Sequence, residues 1–255
     1  MLLTIDIGNT NITLGLFNDN QTLDYHWRIK TDHDRMADEY GFMVVGLMRH
    51  QEVDFEQIKG VVIASVVPPI TQIFIKMIKR FFEQTPLVVE TGVKTGIQIR
   101  YDSPRDVGAD RIVDAAATYK MYGGPACVVD FGTGTTFDAI SAKGEYLGGA
   151  IAPGIGIAAE ALFSRTSKLP RVDLVRPPRA IGTNTVYAMQ SGLIFGYVGL
   201  VEGMVARFRA ELGENMRVIG TGGLAETIAQ ETDVIDVVDL WLTLEGLQII
   251  WEMNQ

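Results

Sequence analysis

Cysteine is almost missing from this chain, with one, Cys127, in 255 residues. A lone thiol rules out an intrachain disulfide framework. Its place in the apolar run Ala126-Cys127-Val128-Val129 marks a packed core thiol rather than a nucleophile. Histidine is scarce too, and His26, His33 and His50 are scattered without ligand spacing, so no zinc site is expected. Basic side chains are the minority, 22 Lys and Arg against 31 Asp and Glu, for a formal charge of -9. That balance argues against a sequence-independent nucleic-acid binder, which needs cations for its phosphate contacts. It leaves an anionic small ligand open, because amides, a few bases and bound cations create local positive potential. The Walker pattern Gly-x-x-x-x-Gly-Lys-Ser/Thr is absent. No Gly-x-Gly-x-x-Gly follows a strand and opens a helix, so a Rossmann fingerprint is absent as well. The opening Met1-Leu2-Leu3-Thr4-Ile5-Asp6 meets an acid too soon for a signal peptide. Residues 186–205 are the most apolar long stretch, but they include Gln190, Ser191 and Glu202 and read as a buried helix rather than a membrane span. The cytoplasm is the expected compartment, with no membrane partner.

What the chain does contain is a repeated signature. Asp6-Ile7-Gly8-Asn9-Thr10 and Asp130-Phe131-Gly132-Thr133-Gly134-Thr135 lie half a chain apart. Each follows an apolar run and leads into another. Two strand–turn–strand units with a carboxylate at each turn suggest two related lobes facing one another across a cleft. Such a cleft suits a nucleotide phosphate carrying a metal ion. Taken alone, the first turn is equally compatible with an ordinary hairpin, since Asp, Gly and Asn favour turns.

The same order of elements recurs in both halves. Strands are expected at residues 2–5, 11–17 and 22–30, a helix at 36–49, a strand at 60–67, a helix at 70–82 and a short strand at 87–90. The second half repeats this with strands at 126–130, 135–141 and 145–150, helices at 156–163 and 186–212, a strand at 216–221, a helix at 224–230, a strand at 234–238 and a last helix at 243–252. A helix at 107–122, stopping at Gly123-Gly124, joins the two. The pattern is mixed-sheet α/β, divided into lobes 1–119 and 120–255.

Three further features bear on chemistry. Gly220-Thr221-Gly222-Gly223 follows a strand and is compatible with a nucleotide's sugar or α-phosphate, or with a plain strand-to-helix connection. In Val107-Gly108-Ala109-Asp110-Arg111 an acid and a base adjoin at a helix start. Consecutive helical positions do not share a face, so one can meet an alcohol while the other grips a carboxylate; simple charge complementarity at a helix N-terminus is the plainer account. Gly192, Gly196, Gly199 and Gly203 recur along one helix face, which suits a closely approaching helix from the same or another subunit. Arg165, Lys168 and Arg171 form a basic cluster read as a solvated loop.

Taken in order, Asp6-Ile7-Gly8-Asn9-Thr10, Gly108-Ala109-Asp110-Arg111, Asp130-Phe131-Gly132-Thr133, Gly148-Gly149-Ala150-Ile151-Ala152-Pro153-Gly154 and Gly220-Thr221-Gly222-Gly223 resemble the type III pantothenate kinase family, from Leu3 to Ala225. The resemblance implies two ribonuclease-H-like lobes with mixed sheets flanked by helices, the fold of the acetate and sugar kinase, Hsc70 and actin-like ATPase superfamily. It implies ATP-dependent phosphorylation of pantothenate. By motif position, Asp6, Ile7, Gly8, Asn9, Thr10, Asn11, Ile12 and Thr13 form a first phosphate loop, and Thr133 belongs to a second. Asp110 is the implied general base. Tyr101, Gly108, Ala109, Asp110, Arg111 and Thr185 are implied substrate contacts. Asp130 is the implied site of K⁺ or NH₄⁺, and Asp6 of Mg²⁺, directly or through water. Thr185 reaches a partner subunit's site in that family, so a homodimer is implied. A non-enzymatic nucleotide-binding regulator, or a kinase of another small acceptor, is the alternative on the same scaffold.

Overall fold

The computed structural model describes residues 1–255. Its two sheets carry the repeat seen in the sequence. Strand β1 (Leu2–Ile7) pairs antiparallel with β2 (Asn11–Phe17), and β2 with β3 (Leu23–Lys30). Parallel to β1 on its other side runs β4 (Gly60–Ser65), followed by β5 (Leu87–Val88), giving the order β3-β2-β1-β4-β5. The second sheet takes the same order with the same senses. It consists of β7 (Ala126–Phe131), β8 (Gly134–Ile140), β9 (Glu145–Pro153), β10 (Arg217–Thr221) and β11 (Val237–Val238), arranged β9-β8-β7-β10-β11. A two-residue strand, β6 (Gln98–Ile99), adds to the free edge of β9. The fold is mixed α/β with two helix-flanked sheets, as expected.

Parallel β1 and β4 need a crossover, and helix α1 (Ala37–His50) supplies it. The Met36 N–H at its start is capped by the Glu39 carboxylate at 2.8 Å. Asp38 and Glu39 in the first turn and Arg49 and His50 in the last complement the helix dipole. Helix α2 (Pro68–Phe81) starts on two prolines, which need no N–H partner there. Both helices pack on one face of the first sheet, where Tyr40, Val44, Met48, Phe74 and Ile78 meet Leu3, Ile5, Ile7 and Leu14. In the second sheet Cys127, Val129 and Phe137 face α4 (Ile155–Ser164), α5 (Thr185–Leu212) and α6 (Ala225–Ala229). Helix α5 is long and apolar enough to cross a membrane by length and composition. Its Leu193, Val198, Val201 and Val205 instead fill that core. Asn184 caps it by accepting the Tyr187 N–H at 2.9 Å, and Gly213, at φ 102, ends it.

The chain forms two compact units that are not contiguous in sequence. One comprises Met1–Gly96, Ser103–Ala117 and Thr243–Gln255; the other, Ile97–Asp102 and Thr118–Leu242. The division 1–119 and 120–255 therefore differs from the contacts in two segments, and the boundary by contacts falls after Ala117 rather than after 119. Residues 97–102 join the second unit because β6 pairs with β9 and the Arg100 N–H donates to the Tyr146 carbonyl at 2.8 Å. The last helix, α7 (Leu242–Met253), packs on the first sheet through Leu244 beside Gly15 and Trp251 beside Gly60. Helix α3 (Ala109–Tyr122) meets α7 where Gly246 lies against the Val113 backbone.

A Cβ at Gly60 would overlap the Trp251 indole. Gly60→Ala is therefore expected to destabilise the first unit by about 1–3 kcal/mol, read as a lowered thermal unfolding midpoint.

Candidate active site

In the first unit, Asp6 is the fifth of six residues in β1 and the first that is not fully buried. Gly8, Asn9 and Thr10 carry the chain to β2, and the Gly8 N–H closes the turn on the Asn11 carbonyl at 3.0 Å. Thr13 lies opposite Asp6 in the ladder, so the two side chains share a face. Asn9, Thr10 and Asn11 are exposed. Ile7 and Ile12 are fully buried in the core and have only main-chain groups to offer a ligand.

The start of α3 lies close to this turn. The Val66 N–H donates to the Ile7 carbonyl at 3.1 Å. A Cβ on Gly108 would sit 3.3 Å from Val66 Cγ1 and 2.5 Å from Asp110 Oδ1. Glycine at 108 thus keeps the Asp110 carboxylate free to lie back over its own helix start, where Oδ1 accepts the Arg111 N–H at 2.8 Å. Burial is the largest influence on Asp110 and raises its pKa above the ordinary 3.8; the Arg111 N–H and guanidinium pull the other way and only partly offset it. Part of the residue still reaches solvent. The result is a carboxylate more basic than a surface aspartate, next to a guanidinium.

The second unit repeats the first turn with a shorter loop. Asp130 is again fifth of six in β7, with the same burial pattern as β1. Its surroundings are cleared by glycine. A Cβ at Gly132 would lie 3.0 Å from Asp130 Oδ2, and one at Gly222 would overlap Asp130 Oδ1. Gly222 also adopts φ +88, which side-chain-bearing residues rarely take. The third glycine turn therefore lies against the Asp130 carboxylate. Thr133 shows its carbonyl to the Gly154 N–H at 3.1 Å, and a Cβ on Gly154 would collide with it.

Asp130 faces Thr136 across β7 and β8. From there a polar chain runs along the sheet. Thr136 donates to Asp138 Oδ2 at 3.1 Å, and Tyr146 donates to Asp138 Oδ1 at 2.8 Å. The Tyr146 ring lies 6.3 Å from that of Tyr101, which rests on the bare backbone of Gly148. Thr185 stands elsewhere, exposed at the first turn of α5, on the wall of an open groove of about 790 Å³ lined also by Leu162, Leu169, Met189 and Leu193. The residues expected to contact substrate are thus divided: 108–111 in the first unit, Tyr101 and Thr185 in the second. Sequence reasoning missed Asp138 and Tyr146, which no motif marks; only the cross-strand register brings them under Tyr101.

The fold matches solved structures across its whole length. A protein described as a Baf family transcriptional activator from Campylobacter jejuni superposes with a TM-score of 0.64 at 21% identity, covering 99% of this chain and 98% of that one. Acetate kinase from Porphyromonas gingivalis gives 0.55 at 12% identity, covering 98% and 99%. These likenesses define the fold alone, one that this chain shares with an acetate kinase. Sequence goes further. The type III pantothenate kinase family matches residues 2–207, and the chain belongs to that family. Type III pantothenate kinase from Moorella thermoacetica is 58% identical over 254 residues, covering 100% of both chains, and that from Myxococcus xanthus 54%, covering 100% and 99%.

Gly222→Ala is expected to cost about 1–3 kcal/mol, from the strained φ together with the collision. Adding Asp130→Ala should recover part of that loss by vacating the contested space. Unfolding midpoints of the two single variants and the double variant check this, and strictly additive effects would contradict the contact.

Proposed function

We propose that this chain transfers the γ-phosphoryl group of ATP to the primary hydroxyl of pantothenate, giving 4'-phosphopantothenate, the first step toward coenzyme A. The observation that carries this reading is 58% and 54% identity over the full length to type III pantothenate kinases, joined to a half-buried Asp110 of raised basicity packed near the Asp6 turn. Asp110 accepts the hydroxyl proton. Arg111, on the adjacent helical position, grips the pantothenate carboxylate with its planar fork. Gly108 and Ala109 leave the acceptor close to the backbone, and Tyr101, which rests on Gly148 in the other unit, is a further pantothenate contact in this reading. Phosphoryl transfer runs through a loose transition state, so positioning and charge neutralisation do most of the work. A carboxylate with a modestly raised pKa suffices as base.

Residues 6–13 and Thr133 hold the phosphates through turn amides and hydroxyls. One carboxylate, with phosphate oxygens and water, is an ordinary way to hold Mg²⁺, and Asp6 fits that role. No cluster of three or more His, Cys, Asp or Glu side chains provides an all-protein metal cage. Asp130 fits K⁺ or NH₄⁺: it is an oxygen donor with the space beside it cleared by Gly132 and Gly222. When bound, these cations offset charge on the transferring group. A cytoplasmic setting belongs to the same proposal, since the reaction draws on ATP.

We further propose a homodimer in which Thr185 of one subunit completes the other's site. Around a Cβ built on Gly192, Gly196 or Gly199 nothing lies within 4 Å apart from the adjoining residues and the backbone of α5 itself, so the rest of the chain leaves that face uncovered. Ile151, Ile157 and Ile181 are individually exposed by 70%, 50% and 80%, apolar side chains available to a partner subunit.

Purified protein with pantothenate, ATP and Mg²⁺ is expected to release ADP and phosphopantothenate, faster in K⁺ than in Na⁺. ATP binding without turnover on any acceptor would favour a nucleotide-binding regulator instead. Asp110→Asn should cut turnover by a factor of about 100 to 10,000. Because the folded pKa of Asp110 is raised, ionisation there opposes folding increasingly as pH climbs through that value. The variant is therefore expected to melt no lower than wild type at neutral pH. The wild-type rate should fall as pH drops through the same raised value, since only the carboxylate takes the proton. Full activity in Asp110→Asn would remove the base assignment. Gly196→Leu is expected to leave the monomer folded, shift sedimentation from dimer to monomer and lower turnover; an undisturbed dimer would count against α5 as the contact.

A further inference from the structure

Thr31 immediately follows the last residue of β3 and is only 5% exposed. Its hydroxyl donates to the Gly8 carbonyl at 2.6 Å, and its backbone N–H donates to the Thr10 carbonyl at 2.9 Å. One residue thus ties two carbonyls of the Asp6 turn toward β3. The next residue is pinned in its turn. The Asp32 N–H donates to the Tyr40 hydroxyl at 2.9 Å, and that hydroxyl donates to the Asp32 carbonyl, also at 2.9 Å. Tyr40 is fully buried against Phe74. The support for Thr31 therefore reaches into the core.

The orientation of these bonds matters for an anion. In a planar trans peptide the C=O of one residue and the N–H of the next point in opposite directions. Holding the Gly8 carbonyl on the β3 side turns the Asn9 N–H to the other, and Asn9 is exposed. Glycine at position 8 has little preference of its own between backbone conformations. Without an anchor, the Gly8–Asn9 peptide can turn over and present a carbonyl oxygen where a donor is needed.

We propose that Thr31 is a positioning residue for nucleotide: its hydroxyl fixes the Gly8–Asn9 peptide so that the Asn9 N–H faces the triphosphate. This rests on the reading of residues 6–13 as a phosphate loop. Thr31→Val keeps the shape and removes the hydroxyl, and Thr31→Ser keeps the hydroxyl and removes the methyl. Calorimetric titration with Mg-ATP alone, without pantothenate, is expected to show a Kd raised roughly 3- to 10-fold in Thr31→Val and within about twofold of wild type in Thr31→Ser. The KM for pantothenate should stay within about twofold in both. Unfolding midpoints accompany the titrations. Thr31→Val binding Mg-ATP as tightly as wild type would overturn the proposal. So would Thr31→Ser losing as much as Thr31→Val, or the Mg-ATP and pantothenate constants rising together, since each points to packing rather than to the hydroxyl. A wild-type protein that binds Mg-ATP but does not phosphorylate pantothenate would sink the reaction assigned above and leave this comparison standing.

Discussion

An unpartnered charge is costly within a strand that is buried on both faces; Asp138, buried in β8, is tolerated because Thr136 and Tyr146 donate to it. That constraint organises this molecule. β1 and β7 are each central strands with four consecutive buried residues, and each admits a carboxylate only at the fifth position, where burial first relaxes. Burying an unpaired carboxylate among the preceding residues would be prohibitive. At the strand exit the same group meets a turn of exposed amides and hydroxyls. The hydrophobic demand that makes the sheet therefore also delivers one acid to the end of each central strand, beside backbone donors suited to an anion.

What surrounds those acids is chiefly space and restraint. Gly108, Gly132, Gly222 and Gly154 each remove a Cβ that would strike a carboxylate or a turn carbonyl. Thr31 does the opposite job, adding a hydroxyl that ties the first turn down. Asp110 is handled differently again. It lies at a helix start, where the Arg111 N–H and guanidinium favour its charge, yet the protein packed around it dominates and keeps it more basic than usual. Acids of one type thus acquire different characters from their surroundings.

Much of the fold was legible because its signals are local. The meanders, the alternation of helix and strand and the proline and glycine stops all lie within short windows. The failures are equally physical. β6 has two residues and no pattern of its own; it exists because β9 leaves an edge to pair with. The strand expected at 234–238 shrinks to Val237–Val238, since Asp236 bonds Val218 through both its side chain and its backbone before the ladder begins. α7 was legible as a helix, but its allegiance to the first sheet depends on Trp251 finding the gap above Gly60.

The amino-acid order alone determined the repeat, the carboxylate at each strand exit, the lack of a Walker lysine and a disulfide, and the motifs that mark the family. These are properties of neighbours in the chain, where spacing and residue type carry the physics. Tertiary structure decided the raised basicity of Asp110, the close approach of Gly222 to Asp130 and the Phe131 backbone, the grip of Thr31 on Gly8 and the sheet that receives the last helix. Each of these is a contact or a burial between residues far apart in sequence, and its energy depends on distance and surrounding protein that no local pattern encodes.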